Sequence, residues 1–63
     1  MTPQQSKIID ILKSSDKPLT VKEIAWKLES PITTVRPAVF SMVGNELRVS
    51  SEVAGAFEVD PSR

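Results

Sequence analysis

Residues 19–24 read LTVKEI, and this stretch holds the strongest local signal for the fold. Thr20 and Glu23 have the spacing of a capping box, in which two side chains satisfy free backbone N–H groups at the start of a helix. Leu19, just before the cap, can pack on Ile24 one turn later as a hydrophobic staple. The stretch therefore predicts that a helix begins directly after Thr20.

This helix is short and is closely followed by another. Its inner face is apolar and consists of Val21, Ile24, Ala25 and Leu28. It ends near residues 29–31, because Pro31 pushes the residue before it away from helical angles. About four residues later a second helical run covers residues 35–43, a connection typical of a helix-turn-helix.

Pro37 predicts where that next helix begins. Proline lacks an N–H and is tolerated mainly in the first turn, so we expect the cap at Thr33 or Thr34. Gly44 and Asn45 are residue types that end helices. The buried stripe between these signals consists of Val35, Val39 and Met42, with Ala38 and Val43 at its flanks.

The flanking segments predict a first helix and a terminal hairpin. Residues 2–5, TPQQ, combine a hydroxyl cap, a proline at the first helical position and a glutamine three residues after the cap. An apolar face follows at residues 8–12. Between residues 47 and 59 apolar and polar residues alternate, as in strands. A three-residue loop, Val53-Ala54-Gly55, with its glycine left-handed, would put Leu47, Val49, Phe57 and Val59 on one face.

Composition limits the class of protein. The chain has 63 residues, of which 40% are hydrophobic and 25% charged, and its net charge is zero. It contains no Cys, His or Tyr, so disulfides, the commonest general base and the soft zinc ligands are excluded. There is no long apolar run and no leader pattern. We expect one cytoplasmic α+β domain over residues 1–60 and a tail at 61–63, without a membrane segment, enzymatic activity, metal or cofactor.

The order helix, helix, helix, hairpin resembles the winged-helix superfamily, which includes small transcriptional regulators of the MarR and ArsR types. The resemblance covers nearly the whole chain. It rests on apolar framework positions: residues 20–25, Leu28, Thr34, Val35, Val39, Met42 and Leu47. It implies three helices followed by a two-stranded β-hairpin wing. It also implies binding to double-stranded DNA, with the third helix in the major groove and the wing on the backbone.

The resemblance places the DNA contacts on the third helix and the wing. Carried over to this chain, the helix positions are Thr33, Thr34, Arg36, Pro37, Phe40 and Ser41. The wing positions are Arg48, Ser50 and Ser51. Arg36 is the leading residue for reading bases, because an arginine can bond to the acceptors of guanine. Alternatives remain for several positions: the two threonines as caps, Phe40 as a residue packed on the wing, and Arg36 as a solvated charge or the partner of a wing glutamate.

The charge distribution departs from that of a typical DNA-binding face. Over residues 32–59 two arginines, at 36 and 48, stand against three glutamates, at 46, 52 and 58, which gives a net charge of −1. Phosphate attraction supplies most non-specific affinity, so a single copy should bind DNA weakly. Either the domain forms a homodimer on two half-sites, or the fold recognises a protein partner. The lysines of the first two helices can still reach phosphates beside the groove: Lys7, Lys13, Lys17, Lys22 and Lys27.

Trp26 is the residue that favours a protein partner. It lies opposite the apolar face of its helix, so we expect it to be largely exposed, with Lys22 and Glu29 beside it as a polar rim. Exposed tryptophan is typical of interface anchors, but the ring can also cover a loop or the tail of its own chain. The sequence thus leaves two hypotheses: a DNA-binding regulator, and a protein-interaction module that uses Trp26 and Lys22.

Overall fold

A computed structural model describes residues 2–61 of the chain. This part has three helices and three short strands: α1 (Pro3–Ser14), β1 (Leu19–Thr20), α2 (Val21–Leu28), α3 (Ile32–Met42), β2 (Leu47–Val49) and β3 (Ala56–Val59). Strand β3 lies in the middle of the sheet and is antiparallel to both β1 and β2. The described residues therefore form an α+β fold. Residue 1 of the predicted domain and residues 62–63 of the predicted tail lie outside them.

Both predicted capping boxes are present. At the start of α1 the Thr2 hydroxyl accepts the Gln5 N–H at 3.2 Å, and the Gln5 amide oxygen accepts the Thr2 N–H at 3.1 Å. At the start of α2 the Thr20 hydroxyl accepts the Glu23 N–H at 3.2 Å, and the Glu23 carboxylate accepts the Thr20 N–H at 3.0 Å. This last bond lowers the pKa of Glu23, because the backbone donor stabilises the charged carboxylate.

The predicted apolar faces of the three helices meet in one core. Helix α2 packs on α3, and α1 lies against both of them and against β3. Burying a large aliphatic side chain stabilises a fold by about 1.5–3 kcal/mol, and in a chain without disulfides this burial is the main source of stability. The buried side chains include Ile8, Leu12, Leu19, Ile24, Val35, Val39, Met42, Leu47 and Phe57.

The predicted start of the third helix is wrong. Helix α3 begins at Ile32, with Pro31 as its N-cap residue, and not at residue 35. Thr33 and Thr34 therefore lie in the first turn, and neither of them caps the helix. The N-cap proline offers no side-chain acceptor, so the first turn is held by the bonds from residues 34 and 35 to the Pro31 carbonyl, at 3.0 and 3.1 Å.

Pro37 consequently lies in the second turn of α3 and not in the first. The N–H that it lacks would have bonded to the carbonyl of Thr33, four residues earlier. The helix continues through this position because Val35 and Val39, on either side of the proline, are fully buried and hold both turns on the core. Since Thr33 is exposed, water can satisfy its carbonyl.

The hairpin belongs to a three-stranded sheet, so the expectation of a sheet with two strands alone is incomplete. The register pairs Leu47 with Val59 and Val49 with Phe57, which confirms that these four side chains share a face. On the other side of β3, Leu19 of β1 also pairs with Phe57. The sheet therefore joins the end of the chain to the residues just before α2.

The loop of the hairpin is longer than the predicted three residues. Residues 50–55 connect β2 to β3. The Ser50 N–H still pairs across the hairpin with the Ala56 carbonyl at 2.9 Å, while its hydroxyl accepts the N–H groups of Glu52 and Val53, both at 3.1 Å, and so forms a local turn. Gly55 has a φ of 75°, so the prediction of a left-handed glycine is confirmed.

Replacing Pro37 by alanine should raise the free energy of unfolding. The substitution restores a donor to the Thr33 carbonyl and removes the ring from the preceding turn. We expect the free energy of unfolding, measured by urea unfolding followed by circular dichroism, to rise by about 1–2 kcal/mol. This is less than the difference in helix propensity between proline and alanine, because alanine leaves the unfolded chain more freedom. Pro31→Ala is the matched control, since proline at the N-cap removes no helical bond. An equal gain in both variants would contradict this account.

Acid should destabilise the fold partly through Glu23. Because the pKa of Glu23 is lower in the folded protein than in the unfolded chain, the charged carboxylate stabilises the fold at pH values above the ordinary pKa of a glutamate. This stabilisation disappears as the pH falls through the lowered pKa. Glu23→Gln keeps an oxygen acceptor for the Thr20 N–H but does not titrate. Thermal melts from about pH 7 down to about pH 2 should therefore show a smaller acid-induced loss of stability in this variant. A loss as large as that of the wild type would refute the role of Glu23.

Candidate nucleic-acid interface

The outer face of α3 is the side of the helix opposite its buried residues. Val35, Val39 and Met42 are buried at helical spacing, so the positions between them project into solvent. The structure exposes every helix position that was predicted to contact DNA: Thr33, Thr34, Arg36, Pro37, Phe40 and Ser41. The N-terminal half of α3 thus presents two threonines and one arginine to solvent.

The first turn of α3 also presents backbone donors. The N–H groups of Ile32 and Thr33 precede the first helical hydrogen bonds, and no side chain caps them. They lie at the positive end of the helix dipole. This end of the helix therefore favours a negatively charged group close to the two threonines.

An open depression of about 380 Å³ lies where the starts of α2 and α3 meet the hairpin. Lys22 of α2 and Arg36 of α3 line it together with Phe40 and Phe57. The two rings contact each other edge to face, with centroids 5.7 Å apart and planes at 70°, as expected if Phe40 packs on the hairpin. Phe40 is nevertheless 54% exposed, so part of its ring remains accessible to a ligand.

Two of the hairpin residues predicted to contact DNA are engaged within the hairpin. Arg48 donates from Nε and Nη2 to one carboxylate oxygen of Glu58, at 2.9 and 2.6 Å, directly across the two strands. These hydrogen bonds raise the pKa of Arg48, and the carboxylate offsets its charge. Ser50 is buried, and its hydroxyl holds the turn. Of the predicted hairpin positions, Ser51 remains exposed without such a role in the described structure.

Arg36 differs from Arg48 in its electrostatic surroundings. Within residues 2–61 it makes no salt bridge, so the alternative of a pair with a hairpin glutamate is not realised. Arg36 and Lys22 line the same depression. The fold therefore brings one cation from α2 and one from α3 to a single concave surface.

A second depression of about 400 Å³ lies on the outer side of α2. Trp26 is 80% exposed there, as predicted. It lines the depression together with Leu19, Lys17, Lys22 and Lys27. Because Lys22 lines both depressions, the cations form one continuous strip, which we call the basic strip: Lys17, Lys22, Lys27 and Arg36. Lys7 and Lys13 line neither depression.

The charge count over residues 32–59 missed the basic strip because three of its four cations lie earlier in the chain. The regular placement of these lysines, one before α2 and two on its outer side, is the sequence signal for it. Two acidic residues lie beside the strip: Glu23, whose carboxylate accepts the Thr20 N–H, and Asp10, which lines a further depression with Lys27. The surface beside α3 is therefore positive, although the segment that contains α3 is not.

Two further classes of site are not found in the described chain. Residues 2–61 contain no group of three or more His, Cys, Asp or Glu side chains that could hold a metal ion. Over the same residues, no helix combines the length and the apolar character needed to cross a membrane. Comparison with known proteins identifies no relative: no protein-family model matches the chain, and no match was found among curated proteins or among solved structures.

Proposed function

We propose that this protein is a winged-helix domain that binds double-stranded DNA, with α3 in the major groove and the β2–β3 hairpin as the wing. The observation that carries the proposal is the outer face of α3, which is exposed and holds a guanidinium without a salt bridge in residues 2–61. Helix α3 follows α2 after a connection of only residues 29–31. This is the arrangement by which helix-turn-helix proteins bring a second helix to the base edges.

The basic strip supplies the contacts to phosphate. Its four cations line the depressions beside α2 and α3, against the carboxylates of Glu23 and Asp10. Cations on either side of a recognition helix fix its position on the duplex, because the two phosphate backbones flank the major groove. The uncapped start of α3 adds backbone donors to the same set.

Base recognition is assigned to the outer face of α3. Arg36 can donate two hydrogen bonds to O6 and N7 of guanine. The exposed part of the Phe40 ring can contact the methyl group of thymine, as can the methyl groups of Thr33 and Thr34. In this proposal Arg48 and Ser50 stabilise the hairpin and do not contact DNA directly, because Glu58 and the turn already occupy their polar groups.

Two copies on neighbouring half-sites would overcome the small number of charges. The chain has a net charge of zero, and each copy offers only the four cations of the basic strip near the groove. Non-specific binding by one copy should therefore lie at the weak end of the usual range, near 10⁻⁴ M. A homodimer doubles the phosphate contacts and explains how a neutral domain holds an operator.

Arg36→Ala and Arg48→Ala together test this assignment. Each substitution removes one positive charge, but Arg48 is already paired with Glu58, whereas Arg36 is not. Binding to a labelled mixed-sequence duplex at low salt, measured by fluorescence anisotropy, should weaken about tenfold in Arg36→Ala. We expect Arg48→Ala to lose less than about threefold, because in this proposal the Arg48 guanidinium stays on Glu58 and makes no hydrogen bond to DNA. Lys22→Ala should lower the slope of log K against log salt by about one.

Two outcomes would overturn the proposal. One is an equal loss of affinity in Arg36→Ala and Arg48→Ala, which would mean that only the overall charge matters. The other is the absence of any amide shift in α3 or the hairpin when duplex DNA is added up to about 1 mM, well above the usual range for non-specific binding. Circular dichroism of each variant shows whether the fold is retained.

A further inference from the structure

Trp26 is a large apolar side chain that the packing of α2 leaves exposed. The inner face of α2 is occupied by Val21, Ile24 and Ala25, all buried, and Trp26 projects from the other side with 80% of its surface in water. In residues 2–61 no ring contact ties it to another aromatic side chain. A tryptophan left in water forgoes a large hydrophobic stabilisation, and such residues dominate the binding energy where proteins meet.

The depression beside Trp26 combines an apolar lining with charged neighbours. Its exposed apolar lining is the indole ring, since Leu19 is only 2% exposed, and its polar residues are mostly lysines. We name this area the Trp26 surface, defined by Lys17, Leu19, Lys22, Trp26 and Lys27. Its volume of about 400 Å³ lies within the range of ligand-binding clefts, about 300–1,000 Å³. A large apolar side chain entering it would remove both the indole and its own surface from water.

The charges around the depression determine which partner fits it. Three lysines line it against the single carboxylate of Glu23, which leaves an excess of two positive charges in the lining. An incoming carboxylate therefore meets a positive potential, whereas an incoming lysine or arginine is repelled. Lysine stems are apolar, so they can pack on the anchor side chain while their ammonium groups pair with acidic residues at the edge.

From this geometry we infer that the Trp26 surface binds an acidic segment of a partner protein, which inserts a large apolar side chain beside the indole. The lining favours a protein segment over a nucleic acid strand. Single strands bind by stacking successive bases on several aromatic rings, and this surface offers one. The proposal does not rest on DNA binding, because the exposed indole, which has no part in the phosphate contacts, is the anchor of this surface, although Lys17, Lys22 and Lys27 also belong to the basic strip.

Trp26 is the sole tryptophan of the chain, so its own fluorescence reports on the site. The probe is a peptide of about 16 residues, roughly four turns if helical, made of glutamate and leucine at helical spacing. Titration should shift the emission to shorter wavelength and protect it from acrylamide quenching. Two matched peptides, one with lysine for glutamate and one with serine for leucine, should produce neither effect.

Variants distinguish peptide binding at the Trp26 surface from an effect of the overall charge. In anisotropy with the labelled acidic peptide, Trp26→Ala should weaken binding at least about tenfold, the size expected of an anchor residue. The double variant Lys17→Glu/Lys27→Glu should do the same. Its control is Lys7→Glu/Lys13→Glu, which makes the same change in net charge on α1, away from both depressions, and should stay within about twofold. Arg36→Ala should bind the peptide as the wild type does, whether or not it has lost DNA binding.

Three results would overturn the inference. The first is no change in Trp26 fluorescence with the acidic peptide up to about 1 mM, the limit of weak binding. The second is an equal loss of peptide affinity in the two lysine double variants, which would mean that binding depends only on net charge. The third is a blue shift with a single-stranded oligonucleotide but not with the peptide, which would assign the surface to nucleic acid. Circular dichroism of the variants verifies that they remain folded.

Discussion

The pairing of Leu19 and Thr20 with the middle strand is the constraint on which the rest of the structure depends. Leu19 is buried opposite Phe57, and Thr20 pairs with Ala56 while its hydroxyl caps α2. Two residues therefore connect the sheet, the core and the start of α2 at one point. Because α3 follows α2 after a short connection and packs on it, this point also fixes α3 relative to the hairpin. The depression that holds Lys22 and Arg36 exists because these elements meet there.

The parts of the fold that depend on residues close together in the sequence were predictable. The Thr20–Glu23 capping box and the apolar faces of the helices repeat within one or two turns, so one short window contains the whole signal. Strand β1 was not predictable in this way, because a strand of two residues has no period and its partner, β3, lies at the other end of the chain. The same holds for the basic strip: its residues are visible in the sequence, but folding determines that Lys22 lies beside Arg36.

The start of α3 was predicted wrongly because tertiary packing outweighs the local preference of Pro37 for the first turn. Proline is disfavoured beyond the first turn, and on that basis the helix should begin at Thr33 or Thr34. The burial of Val35 and Val39 outweighs the missing hydrogen bond, and Pro31 supplies an earlier start. A sequence that keeps a locally unfavourable residue on an exposed face is most easily understood if the face has a function, since functional sites are where proteins tolerate such conflicts. Pro37 stands in the middle of the surface that we assign to DNA.

The two proposed surfaces are not electrically independent, because Lys17, Lys22 and Lys27 belong both to the basic strip and to the Trp26 surface. If each proposal holds, an acidic segment on the Trp26 surface lowers the positive potential that attracts phosphate to the start of α3. By thermodynamic linkage the opposite must also hold: DNA on α3 weakens the binding of the acidic segment by the same factor. No conformational change is needed for this antagonism, since shared cations and two negatively charged ligands are sufficient. The effect is strong because the basic strip has four cations, so that engaging its three lysines leaves Arg36 alone to attract phosphate.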